Sequence, residues 1–305
     1  MIALRRSLAS PGFAAAIPYV ALLCAMLSLA FGTSFAKQLF PVVGAQGTAA
    51  LRVGLSALIL LAVFRPWRVK LGGDDLKRVL AFGLALGLMN LTFYMSLRTI
   101  PLGLALAIEF TGPLTLALIH ARRLIHFVWI GCAALGLFLL LPLHGGAGSL
   151  DPVGVGFALI AAVCWALYIV FGKRLSHIPP GPSVAMGMSV AALVILPFGV
   201  STAGAGLVAP SILMLALVVA VASSALPYSL DMVAMRGMPK RTFGVLLSGE
   251  PAIGAVAGMI FLHELLNGQQ WLAISCIVAA SVGAILTTGK DRTDTPADTP
   301  APLPN

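Results

Sequence analysis

The sequence predicts an all-α polytopic membrane protein, with ten transmembrane helices arranged as two inverted-topology five-helix repeats. Three observations predict it. The chain is 59% hydrophobic and only 10% charged over 305 residues, whereas a soluble domain carries about 25% charged residues. Its apolar residues fall into blocks, each close to the roughly 20 residues that cross a bilayer as a helix. Short motifs from the first half recur in the second at almost one offset.

A soluble core stops growing near this chain length, so a mean hydropathy of +1.02 makes lipid the expected solvent. Lipid offers no partner to free backbone groups, which demands helices or a closed barrel. A barrel would alternate in strands of about ten residues, and these blocks are continuous. The net charge of +9 does not point to nucleic acid. The cations sit between apolar blocks, as positive-inside loops do, and form no basic stripe.

The blocks run 17–36, 44–64, 78–97, 102–120, 124–143, 153–172, 182–200, 209–231, 242–262 and 270–288. Arg5 and Arg6 precede the first, in the manner of a signal peptide, but the apolar run from Ile17 to Phe35 is long enough to span. An uncleaved first helix is expected after a cytoplasmic segment 1–16. A disordered cytoplasmic tail, rich in Thr, Asp and Pro, is expected over 289–305. With the N-terminus inside, the outer segments hold Lys37 and Arg98, the second span holds Arg52, and every other Lys and Arg falls inside. This asymmetry fits ten spans with both ends cytoplasmic.

Phe35-Ala36-Lys37-Gln38-Leu39 is echoed by Phe171-Gly172-Lys173-Arg174-Leu175, and Arg98-Thr99-Ile100-Pro101 followed by Pro113 is echoed by Arg236-Gly237-Met238-Pro239 followed by Pro251. Units 17–143 and 153–288 therefore read as copies. Five spans is an odd number, so the second copy is expected upside down. Such repeats place a substrate site near the midplane.

The runs LRVGLSALILLAVFRPWR, PLGLALAIEFTGPL and ALPYSLDMVAMRGMPKRTFGVLLSGEPAIGAVAGMIFLHE resemble the threonine/homoserine exporters of the bacterial drug/metabolite transporter superfamily. The tandem halves resemble EamA-type units. The resemblance covers about Ala21 to Thr288. It implies a ten-helix inner-membrane exporter that releases threonine, homoserine or related small amino acids in exchange for protons. The runner-up is export of other metabolites or amphipathic drugs.

The residues themselves point to a polar interior. Glu109 lies about 12 Å along its helix from Pro101, near mid-bilayer, where a carboxylate must face a cavity, meet a cation or carry a proton. It is a candidate for proton coupling, or a structural partner of Arg52. Glu250 sits beside Pro251, about one turn from Glu109's place in the repeat. It shares that candidacy, or serves the backbone at the proline break. Arg52 is expected either to bind a substrate carboxylate or to pair with Glu109 or Glu250. Asn90 with Tyr94, Trp165 with Tyr168, and Ser224 with Tyr228 share helix faces by their spacing. They line a cavity or join helices. Pro113, Pro197, Pro227 and Pro251 are expected to interrupt helices as breaks or hinges. Asp231 is expected at the cytoplasmic end of the eighth span, in a loop-edge ion pair with Arg236, and Glu264 as an outer structural residue.

The rival classes lack their signatures. The histidines fall at block ends or loops, no H-E-x-x-H or aspartate-rich metal motif occurs, and the cysteines lie in apolar blocks without a C-x-x-C pair. No enzyme activity, cofactor or metal is expected. A channel would need rings of charge or a filter sequence. A purely structural membrane protein has no use for midspan carboxylates.

Overall fold

A computed structural model describes residues 11–119, 124–140, 150–238 and 240–291. Residues 1–10, most of the expected N-terminal segment, and the tail from 292 onward lie outside them. All regular structure among the described residues is helical. The helices are α1 Pro11–Gln38, α2 Phe40–Phe64, α3 Asp75–Ser96, α4 Leu102–Leu118, α5 Leu124–Leu140, α6 Pro152–Lys173, α7 Pro180–Ala203, α8 Pro210–Ala220, α9 Leu226–Gly237, α10 Lys240–Leu247, α11 Glu250–Leu262 and α12 Gly268–Asp291. A π turn, Val221–Ala225, joins α8 to α9, so these two form one broken rod. Together α10 and α11 form another. By length and composition seven apolar segments can cross a membrane, and Leu102–Leu116, Phe127–Leu139 and Pro210–Ala225 are shorter apolar helices. The protein is a multi-pass membrane protein.

Local chemistry sets the helix limits. Asp151 caps α6: its carboxylate accepts from the N–H groups of Val153 at 3.3 Å and Gly154 at 3.0 Å, which removes two of the end's orphan donors. Pro152 follows at the first position, where a missing N–H costs nothing. Pro251 plays the same part in α11, so the expected break in the ninth span falls just before it, at Ser248 and Gly249. Gly44, at φ 70°, kinks α2 near its start, a backbone conformation that suits glycine.

Two expected interruptions are absent. Helices α4 and α7 run unbroken through Pro113 and Pro197. A single proline removes one helical bond, and the turns on either side hold. In α4 the carbonyl left without that donor is Glu109's own.

The bundle is layered by close approach. Helix α2 lies along α7, α3 along α6 and α7, and α5 along α12; α4 meets α6, α11 and α12, while α1 meets α9 and α11. Small residues permit this: a Cβ on Gly112 would strike the Ala162 carbonyl. Glu264, just past α11, ties one end of the bundle. Its carboxylate accepts from the Lys37 ammonium at 2.5 Å and from the Leu102 N–H at 2.8 Å. It is structural, as the sequence suggests.

Candidate functional site

A cavity of about 510 Å³ opens inside the bundle, lined by residues of spans from both halves of the chain. Its walls are mainly apolar, with Met26, Leu29, Met89, Phe93, Leu106 and Trp165 among them. Set into this surface are one guanidinium, Arg52, and three carboxylates, Glu109, Asp231 and Glu250. Arg52 is 6% exposed, and Glu109 and Glu250 are each 5% exposed.

The cation and the carboxylates are not paired. Arg52 donates from Nη1 to Asn90 Oδ1 at 2.6 Å, from Nε to Ser223 Oγ at 2.8 Å, and from Nη2 to the Ser223 carbonyl at 2.9 Å. The Tyr94 ring lies beneath it, 5.3 Å from centroid to Cζ. All these partners are neutral. Asn90 is itself oriented by a bond from Nδ2 to the Leu86 carbonyl at 2.9 Å. The expected ion pair of Arg52 with Glu109 or Glu250 is therefore not formed. Among the described residues, neither glutamate has an ion-pair or hydrogen-bond partner within the protein. Glu109 lies within electrostatic reach of both Arg52 and Glu250, and Glu250 within reach of Asp231. All four charged side chains line the one cavity.

The other sequence candidates divide. Asn90, Trp165, Tyr168, Pro113 and Pro227 line the cavity with Arg52 and the glutamates. Trp165 stands edge-on to Phe110 at 5.3 Å, and Tyr168 stacks on Phe82 at 4.8 Å, so each is fixed on one side. Tyr94 is wholly buried behind Arg52, with its hydroxyl in reach of Thr33 and Arg52. Pro251 is buried at the start of α11 and lies outside the lining. The side chain of Tyr228 lies outside the described residues.

Two functional residues differ from the sequence reading. Ser224 is sealed from the cavity, with an unpartnered hydroxyl, and Ser223 faces Arg52 in its place. The π turn causes this, because a wide turn adds a residue and rotates the helical register. Asp231 lines the cavity, with a buried, unpartnered Oδ1; it does not stand at a loop edge. The apolar run resumes as Met-Val-Ala-Met over 232–235 and the helix continues to Gly237, so Asp231 lies within the rod.

Known proteins resemble this chain closely. The EamA-like transporter family matches residues 152–286. The threonine/homoserine exporter RhtA of Salmonella typhimurium strain LT2 is 49% identical over 275 residues, 90% of this chain and 93% of its own length. The chain belongs to the EamA-like transporter family. The threonine/homoserine exporter RhtA of Escherichia coli K12 is 48% identical over the same shares of both chains. A solved crystal structure of a protein 21% identical to the chain has the same fold, with a TM-score of 0.58 over 92% of this chain and 99% of its own. The chain is therefore a transporter-family member, not an enzyme.

Proposed function

We propose that this EamA-like transporter exports small amino acids of the threonine/homoserine type across a bacterial inner membrane, by proton antiport with alternating access around the cavity. The observation that carries this reading is the charge arrangement. A buried guanidinium held only by neutral groups has capacity left for a carboxylate, and the glutamates of the same cavity, without a partner among the described residues, suit an ammonium group or a proton. A small zwitterion matches both. The two RhtA relatives, named as threonine/homoserine exporters, support the same substrates.

Alternating access follows from inverted repeats 17–143 and 153–288. The packing supports them: exchanging each span with the one five further on turns α3–α6 into α9–α1 and α4–α6 into α11–α1, and carries α2–α7, α4–α11 and α5–α12 onto themselves. The distribution of Lys and Arg supports cytoplasmic termini. The test is uptake of labelled threonine and homoserine into proteoliposomes, with and without an imposed pH gradient. A gradient that leaves transport of both unchanged overturns the coupling. The apolar share of the wall favours amphipathic compounds as the second reading, and a counterflow screen across both classes decides between them.

A further inference from the structure

The break between α8 and α9 has an unusual hydrogen-bond account. The Leu226 N–H reaches back five residues to the Val221 carbonyl. The next N–H would serve the Ala222 carbonyl in that register, or the Ser223 carbonyl in the α register. The next residue is Pro227, which has no N–H. Both carbonyls are met by side chains from the opposite half of the chain. Ser28 Oγ of α1 donates to the Ala222 carbonyl at 2.6 Å, and Arg52 Nη2 of α2 to the Ser223 carbonyl at 2.9 Å. A free carbonyl in the apolar interior is costly, and each of these donors satisfies one of the two.

For Arg52 the consequence is orientation. Ser223 occupies Nε through its hydroxyl and Nη2 through its carbonyl, and Asn90 occupies one N–H of Nη1. A guanidinium carries five N–H groups. One N–H on each Nη nitrogen lies beyond the bonds to Asn90 and Ser223, with the Tyr94 hydroxyl also in reach, and guanidinium N–H groups are the donors that grip a carboxylate. We propose that Pro227 is a positioning residue for substrate recognition: by withholding its N–H it leaves the Ser223 carbonyl to Arg52, and that bond fixes the guanidinium for the carboxylate of the transported amino acid. This rests on the amino-acid reading above and adds to it the determinant of carboxylate selectivity.

The experiment is competition binding of labelled threonine to the purified, full-length transporter. Unlabelled threonine competes in one series, and threonine amide, which keeps the ammonium and hydroxyl groups but lacks the charged carboxylate, in the other. Pro227→Ala restores an N–H that recaptures the Ser223 carbonyl. The preference for threonine over its amide is expected to fall about tenfold, the scale of one charge-assisted hydrogen bond. A merely structural defect weakens both competitors alike, and an unchanged ratio overturns the proposal. Ser28→Ala strips the Ala222 carbonyl of its donor without touching Arg52, and is expected to keep the wild-type ratio. An equal fall there also overturns the proposal. If Pro227→Ala does not fold, Ser223→Ala, which removes the Nε acceptor, is read in the same way: a lowered ratio supports the proposal and an unchanged one defeats it. Wild-type protein that binds neither competitor refutes the amino-acid reading itself, and this inference with it.

Discussion

Replacing Arg52 by lysine keeps a cation but discards the planar fork. One ammonium cannot satisfy Asn90 and both Ser223 acceptors and still present a pair of donors. Arg52→Lys is therefore expected to lower threonine transport by more than about tenfold while the protein still folds, as checked by its elution as a single species and by initial-rate transport. Glu109 calls for a different comparison. Glu109→Gln keeps the shape and removes the exchangeable proton, so gradient-driven transport should be lost while substrate counterflow, which needs no net proton movement, persists. Loss of both places Glu109 in substrate binding instead. At this scale the sequence was informative where a charge stood alone in an apolar run. Arg52, Glu109 and Glu250 could be found that way, because burying a charge requires a reason. Ser223 and Asp231 could not. The first depends on a one-residue change of register, and the second on a helix that runs on past Asp231 to Gly237.

The helices were legible from apolar length and from punctuation by proline and glycine, though only some prolines became breaks. Pro227 and Pro251 stand in first turns after a change of register, whereas Pro113 and Pro197 are carried inside continuous helices. Hydropathy cannot separate these cases; at Pro227 donors from neighbouring helices meet the vacated carbonyls. Where α4 crosses α6 there is no room for a side chain at position 112. Gly112→Ala should destabilise the protein by about 1–3 kcal/mol through overpacking, read as a lower melting temperature in detergent. The cap of α6 makes a pH prediction. Asp151 is held below the ordinary carboxylate value by the Thr99 hydroxyl, and further by the N–H groups of Gly154 and Val153. A lowered value in the folded state means that the stabilisation is complete above the unfolded-state value and disappears as pH falls through the folded one. The melting temperature should therefore fall on acidification below about pH 4, and Asp151→Asn should flatten that part of the profile.

At the scale of the whole molecule, the charge distribution makes orientation testable. The end tied by Lys37, Glu264 and the Leu102 N–H is expected to face outward, and the short helical turn Pro66–Arg68 inward. In a cysteine-free background, Leu265→Cys should react with an impermeant maleimide in intact cells. Trp67→Cys should react only after permeabilisation; both side chains are exposed, at 87% and 67%. The reverse pattern inverts the topology. The helices were readable because each apolar block is long and continuous, and the proposed duplication rests on motifs that recur at nearly constant offset. The gathering of Arg52, Glu109, Asp231 and Glu250 in one cavity was not readable, since it depends on which faces meet across the bundle. The offset between the halves is not quite constant, at 136 for the Phe35 and Phe171 runs and 138 for the Arg98 and Arg236 runs. On the proposed repeat, the second copy has gained two residues between these landmarks. The π turn of the eighth span, which has no counterpart in the continuous α3, accommodates one of them. An insertion absorbed in one copy gives that copy a pair of outward-facing carbonyls, and gives a bundle of near-equal halves a polar seam on one side only.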